Sequence, residues 1–559
     1  MIPLESTRQS TFQLSLSTRA GLVLALIFPI FTVVPLFYPG YFQTHSGLIP
    51  VWNVLDLRAN WGNWSWLPHI AIQFDPLRSD GLLPYYLAAL WPVQPVAAVK
   101  TVLGLSWLLG SAGLFLWLKS WLGNYGAVAA ALVYTYLPHQ IATVYVRGAW
   151  GEALFWGLLP WAMLGTTFLV TSPRLIILPV AAFCWLALGL TQLGLTLWAA
   201  VFILLLLLVI HPRRSFLPIL SAMLGTGAAI IMYMFVSPGP ITTPINFADH
   251  FLYPFQLFSA QWGYGSSRPG WADGFSLQLG LAAVGLTIIS VALWQQHWTA
   301  TPQTGRQDRR LIFFLGAAII LILLQLGVTA FIWQIPILPG EYLLSSTLTY
   351  PWQLLGLTGL CLAILAGAAF WLDERLAQPP LFGAVVVLVL LSSYAYLSPQ
   401  FIQVDEYIDG PEAQLGNAQL ALVDHNLAVS INDNTAGLQL GETSIPLKVY
   451  GSPQANDLLL LTVTWQPLQP FDQDLKVFIH LVDVNSNVLA QYDGYPQTGA
   501  YPTSRWTPGE MIEDTYPIPF PAEAPPGPYR VYLGLYDEAT LTRLPVPTDP
   551  EGRVILNVE

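Results

Sequence analysis

Charged residues with chemical potential gather in a few short stretches of an otherwise apolar chain. The richest is THSGLIPVWNVLDLRANWGNWSWLPHIAIQFDPLRSDGLLPYY, which carries His45, Asp56, Arg58, Asp75, Arg78 and Asp80 among tryptophans. VWNVLDLRANW reads as a short helix presenting Asp56 and Arg58, and Asp75, Arg78 and Asp80 fall in a Pro- and Gly-bounded turn. A carboxylate there can take the proton of an attacking hydroxyl. A guanidinium or a metal can steady a departing phosphate. Asp–Arg surface pairing in a solvated turn accounts equally well for each residue taken singly, and the tryptophans suit an interfacial aromatic belt.

Two more stretches have the same character. YVRGAWGE places Arg147 and Glu152 across a Gly-containing turn. They either pair with each other or leave Arg147 facing an anionic headgroup, for which its planar fork is suited. Asp249–His250 and WGYGSSRPGWADG, with Arg268 and Asp273, form a third cluster. A His beside an Asp is more often a satisfied surface pair than a base or ligand. Cys184 and Cys361 lie inside apolar runs with no CxxC or Cys/His spacing, so they read as packing residues. No basic nucleic-acid patch and no Walker or Rossmann glycine loop is present.

The elements that hold these residues are set by the solvent. The chain has 559 residues, 54% hydrophobic and 9% charged, against roughly 25% charged in soluble proteins. Residues 400–559 carry 21 acidic and 6 basic side chains, and residues 1–399 carry 11 and 15. A lipid-embedded part of residues 1–400 is therefore expected, followed by an aqueous domain of residues 401–559. Eleven apolar runs reach or approach the roughly 20 residues a span needs. They are Ala20–Tyr38, Val96–Leu118, Tyr125–Val144, Ala153–Val170, Leu175–Leu190 and Leu193–Ile210, then Phe216–Val236, Ser276–Trp294, Leu311–Trp333, Pro351–Trp371 and Leu381–Leu397. Gly81–Pro92 is too short and too proline-flanked to cross.

Starting with the N-terminus in the cytoplasm, eleven spans place Lys119, Arg174, Arg213, Arg214, Arg306, Arg309, Arg310 and Arg375 in inner loops, as the positive-inside rule asks. The first run, preceded by Arg8 and Arg19, lacks a small-residue cleavage site and reads as an uncleaved span. All three charged clusters then fall outside, in the long first loop 39–95 and its neighbours, and so does the C-terminal domain. In that domain IPLKVYG, LLLLTVTWQPL, LKVFIHLVD, VLAQYDGY, YRVYLGLYD and RVILNVE alternate between Pro, Gly, Asp and Asn clusters. This predicts an antiparallel β-sandwich, with Trp465 in its core.

Several strings resemble the polytopic membrane proteins labelled 6-pyruvoyl-tetrahydropterin synthase-related, which are similar to the GT-C superfamily of polyprenyl-phosphate-sugar glycosyltransferases. They are THSGLIPVWNV, SDGLLPYYLAALW, YTYLPHQIATVYVRGAWGEALFWGLLPWAML, QWGYGSSRPGWADGFSLQLG and TYPWQLLGL, within residues 20–400. The resemblance implies a GT-C-like bundle with its cleft on the outer face of a bacterial-type plasma membrane. It also implies a donor in the bilayer, a polyprenyl-phosphate sugar, and an envelope glycan, lipid or protein as acceptor. Asp56, Asp75 and Asp80 are then candidate catalytic acids. His45, Arg58, Arg78, Arg147, Glu152, Asp249, His250 and Arg268 are candidate binding residues, and a divalent cation is the one cofactor to consider. Three positions depart from the pattern. His-Asp-Gly is replaced by His45-Ser46-Gly47, Leu-Thr-His by Leu190-Thr191-Gln192, and Pro-Trp-Arg by Pro351-Trp352-Gln353. The alternative is a catalytically inactive membrane scaffold that presents the sandwich to an envelope partner.

Overall fold

The computed structural model describes residues 16–559 except 43, 47–48, 64–65, 69–73, 235–245, 266, 268, 272, 301–305, 338–342, 403–421, 424–425, 431–457, 466–470, 472, 500, 507–511, 520–528, 545–550 and 559. Arg268, Trp64 and the IPLKVYG run lie outside the described residues.

Six helices among the described residues are long and apolar enough to cross a membrane: Thr18–Phe37, Pro95–Thr135, Trp150–Thr171, Leu193–Ile210, Phe216–Met234 and Pro351–Leu372. Leu175–Gly189, Leu281–His297 and Pro379–Tyr394 are shorter and apolar. Eleven crossing helices are not shown among the described residues, and proline and glycine set where several of the runs turn or break. Pro95–Thr135 is two helical arms joined by a turn at Gly123, whose φ of 70° favours glycine. Its two arms fold back on each other, so that Phe115 and Val128 both lie against Gly21 and Gly110 meets Tyr134. The second arm stops at Thr135 because Pro138 opens a new helix, Pro138–Tyr145. The Leu311–Trp333 run likewise breaks after Leu324, where the Gln325 carbonyl turns aside to accept the N–H of Leu252.

The two ends of the bundle differ. At one end the His45–Arg147, Asp80–Glu152 and Leu190–Gln192 regions meet residues 247–280 and 344–354 through backbone and side-chain bonds. Two short helices belong to this end. Ile49–Ala59 and Leu82–Leu90 lie where the sequence predicts a helix and a non-crossing apolar segment. Strand β1 (Tyr41–Phe42) pairs antiparallel with β2 (Phe401–Ile402), which clips the start of the first loop to the exit of the last helix. At the other end Asn124 holds the Leu16 carbonyl and Arg310 lies on Trp121.

The C-terminal domain contains two four-stranded sheets. One runs β10 (Val554–Val558), β9 (Tyr529–Asp537), β6 (Leu475–Val482), β7 (Val488–Gly494). The other runs β3 (Leu422–Val423), β4 (Asn426–Ser430), β5 (Leu458–Trp465), β8 (Ile512–Pro519). All pairings are antiparallel except β4 with β5, which run parallel, a departure from the sequence expectation. Alternate residues of β5, β6, β8 and β9 share one core, as strand pleating requires. Trp465 is buried in it and donates to the Tyr516 hydroxyl at 2.9 Å.

Candidate functional site

YVRGAWGE becomes a turn between two helices. Arg147 follows Pro138–Tyr145, and Glu152 stands in the first turn of Trp150–Thr171. Gly148 between them has φ 64°, and a Cβ there would collide with Thr44, whose own Cβ would lie 2.8 Å away. The turn brings the two charges together. Arg147 Nη2 lies 2.8 Å from Glu152 Oε2, with both side chains almost wholly buried. His139 Nε2 stands 3.4 Å from Oε1, Trp156 donates to Oε1 at 3.4 Å, and Gln353 donates to Oε2 at 3.2 Å. The guanidinium is also covered on one face by the Trp352 ring, at 4.6 Å from its centroid. A buried charge with this many partners is held in one geometry.

Asp80 reaches the same place from the first loop. It accepts backbone N–H bonds from Gly151 and Glu152 at the start of the Trp150–Thr171 helix. A Cβ on Gly151 would sit 2.6 Å from Asp80 Oδ1, so the second glycine of the motif makes room for the carboxylate. Helix N-termini favour anions. Even so, burial pushes the Asp80 carboxyl up to about 7, with the Glu152 charge raising it further and the two amides and Arg147 opposing.

Ser46 and His45 fasten this turn from outside. The Ser46 N–H and Oγ both donate to the Arg147 carbonyl, at 3.2 and 3.1 Å, and the His45 N–H donates to Val146 O at 3.0 Å. The His45 ring lies 3.2 Å from the Tyr264 carbonyl and edge-on to Phe275, which in turn meets Trp352. Gln192 accepts from Gly194 N–H and donates to the Arg78 carbonyl at 2.9 Å. Thus Ser46, Gln192 and Gln353, the three positions that depart from the resembled pattern, all hold parts of this end of the bundle.

The third cluster joins through Trp352, which donates to Ser267 Oγ at 3.3 Å. Ser267 donates to Asp273 Oδ1 at 2.6 Å and bonds His250 Nδ1 at 2.9 Å, while Gln256 donates to Asp273 Oδ2 at 2.8 Å. The His250 ring therefore bonds Ser267, where the sequence suggested a pair with Asp249. The Asp249 carbonyl accepts the Gly270 N–H.

The remaining candidates fasten the first loop. Asp56 is buried and accepts from Trp66 Nε1 at 2.6 Å and from Asn60 at 2.9 Å. Arg58 donates to the carbonyls of Ala88, Trp91 and Val93, closing the C-terminal end of the Leu82–Leu90 helix. Asp75 accepts the Leu77 N–H at 2.8 Å and lies 3.9 Å from Arg78 Nε. His139 was not singled out by sequence, although a His in an apolar, helix-forming stretch is a signal of its own; Gln353 was noted only as a departure from the resembled pattern. The described residues hold no group of three or more His, Cys, Asp or Glu able to bind a metal ion, so a divalent cation finds no ready donor set among them. No family model matches this chain, and no curated protein is significantly similar to it.

Proposed function

We propose that this chain is a GT-C-like glycosyltransferase of about eleven spans, with its N-terminus in the cytoplasm. It moves a sugar from a polyprenyl-phosphate donor in the bilayer to an envelope acceptor at the outer face of the plasma membrane. The observation that carries the reading is Asp80, a partly exposed carboxylate titrating near neutrality beside a buried guanidinium. A general base works best with its pKa near the operating pH. In the step, the acceptor oxygen bonds the anomeric carbon, the bond from that carbon to the phosphate oxygen breaks, and Asp80 takes the hydroxyl proton. The lipid phosphate leaves with the bonding pair. Arg147, held by Glu152 and Trp352, is the cation toward which that phosphate is drawn. A cavity of about 750 Å³ lined by Leu36, Tyr38, Lys100 and Leu108 supports a lipid donor reaching this end of the bundle.

One observation favours the scaffold reading: the charge of Arg147 is already matched by Glu152 at 2.8 Å. Purified protein given a labelled polyprenyl-phosphate sugar and envelope acceptors separates the two. The transferase reading expects incorporation by wild type and a loss of about 10²–10⁴-fold in Asp80→Asn with insertion unchanged. Full activity in inserted Asp80→Asn refutes Asp80 as base, and no incorporation by wild type with any donor leaves the scaffold.

A further inference from the structure

The end of the bundle remote from Asp80 holds a second cavity, of about 760 Å³, within the range of ligand sites. The Trp150–Thr171 helix links the two ends, for its first turn carries Glu152 and its last residues line this cavity. Lining residues on that helix run from Trp161 to Thr171, a rise of about 15 Å. That is half of the roughly 30 Å hydrocarbon core, the depth of one leaflet. The walls are mostly apolar, with Phe168 and Val180 strongly exposed, so the cleft opens sideways between helices.

Its floor and its end differ in chemistry. Lys119, His211 and Arg310 line it close to the Gly123 turn, and the Arg310 guanidinium lies 5.1 Å above the Trp121 ring. Trp121 is itself 7% exposed and lines the cleft, and its indole N–H has no hydrogen-bond partner among the described residues. An apolar slot one leaflet deep, ending in cations, matches a lipid whose anionic phosphate sits at the membrane surface.

We propose that this cleft binds one anionic glycerophospholipid of the leaflet on the basic-loop side. An acyl chain lies along Phe168, Val180 and Phe314, and the phosphate is held between Lys119 and Arg310. The depth selects an ordinary acyl chain over a polyprenyl tail, which is several times longer. The site is separate from the transfer reading and stands whether or not Asp80 is a base.

Native mass spectrometry of the full-length protein in detergent tests it, with phosphatidylglycerol, phosphatidylcholine and undecaprenyl phosphate offered in turn. Wild type retains one phosphatidylglycerol at concentrations at least tenfold below those needed for phosphatidylcholine. Each basic side chain near such a surface contributes roughly fivefold, so Lys119→Gln with Arg310→Gln weakens retention about 30-fold. Val180→Trp, on an exposed wall position, blocks the slot and lowers retention with the cations intact. Equal retention of the two phospholipids, unchanged retention in either variant, or tighter retention of undecaprenyl phosphate would each overturn the assignment.

Discussion

Replacing Asp80 by Asn makes a measurable difference whose size and sign follow from its surroundings. In the folded chain the carboxyl ionises near pH 7, and in the unfolded chain it ionises near its ordinary 3.8. Between those values the folded state keeps a proton that the unfolded state has released. Stability is therefore highest below the unfolded pKa, falls as pH rises toward 7, and levels off above it. Three pKa units at about 1.36 kcal/mol each set a ceiling of about 4 kcal/mol. Asp80 is partly solvated and its anion is steadied by the Gly151 and Glu152 amides, so about 2 kcal/mol is the working figure. Asn cannot ionise but keeps an oxygen for those amides. Wild type and Asp80→Asn should melt together only below the unfolded pKa, at about pH 3; the variant should already melt slightly higher at pH 5 and a few degrees higher at pH 8. Tryptophan fluorescence of detergent-solubilised protein across that range reads the difference directly. A variant less stable than wild type at pH 8, or a gap that does not change with pH, would refute the argument. Asp80 would then be a permanently ionised helix cap whose charge is stabilising.

The Arg147–Glu152 pair predicts a non-additive double-mutant cycle. Arg147→Met or Glu152→Gln alone strands a buried charge and costs about 3–5 kcal/mol, and the double variant recovers part of that in melting or expression measurements. Asp56→Asn keeps an acceptor for Trp66 and Asn60, so it costs about 1 kcal/mol of loop stability. It should leave any transfer activity at wild-type level when assayed in inserted protein, and a selective loss of turnover would restore Asp56 as a catalytic candidate.

Sequence showed the larger divisions because they are differences of solvent. The charge split near residue 400 separates a helical bundle from a β-domain, and the two short helices of the first loop follow from proline-bounded apolar segments. The Arg147–Glu152 pairing was legible as one of two readings, since five residues across a glycine turn allow contact. The contacts of Asp56 and Arg58 were not. Their partners are an indole ten residues on and backbone carbonyls some thirty residues on, and a carboxylate that fastens a loop looks in sequence like one that takes a proton. His139 and Gln353 met Glu152 only through helix packing, which composition does not encode. The helix breaks at Gln325 and Thr135 hid for a related reason, because hydropathy runs straight through a bend that one carbonyl or one proline imposes.

The clip between Tyr41–Phe42 and Phe401–Ile402 also imposes a schedule on biosynthesis. Its halves lie about 360 residues apart, so at about 5–20 residues per second the ribosome delivers the second roughly 20–70 s after the first. Until then Phe42, fully buried in the finished protein, lacks Phe401 as a neighbour. The mouth of the first loop, immediately before Thr44 and His45, therefore closes last, after every helix of the bundle has been made. A chain truncated before Phe401 would leave that aromatic seam open, with Phe42 missing one of the rings that bury it.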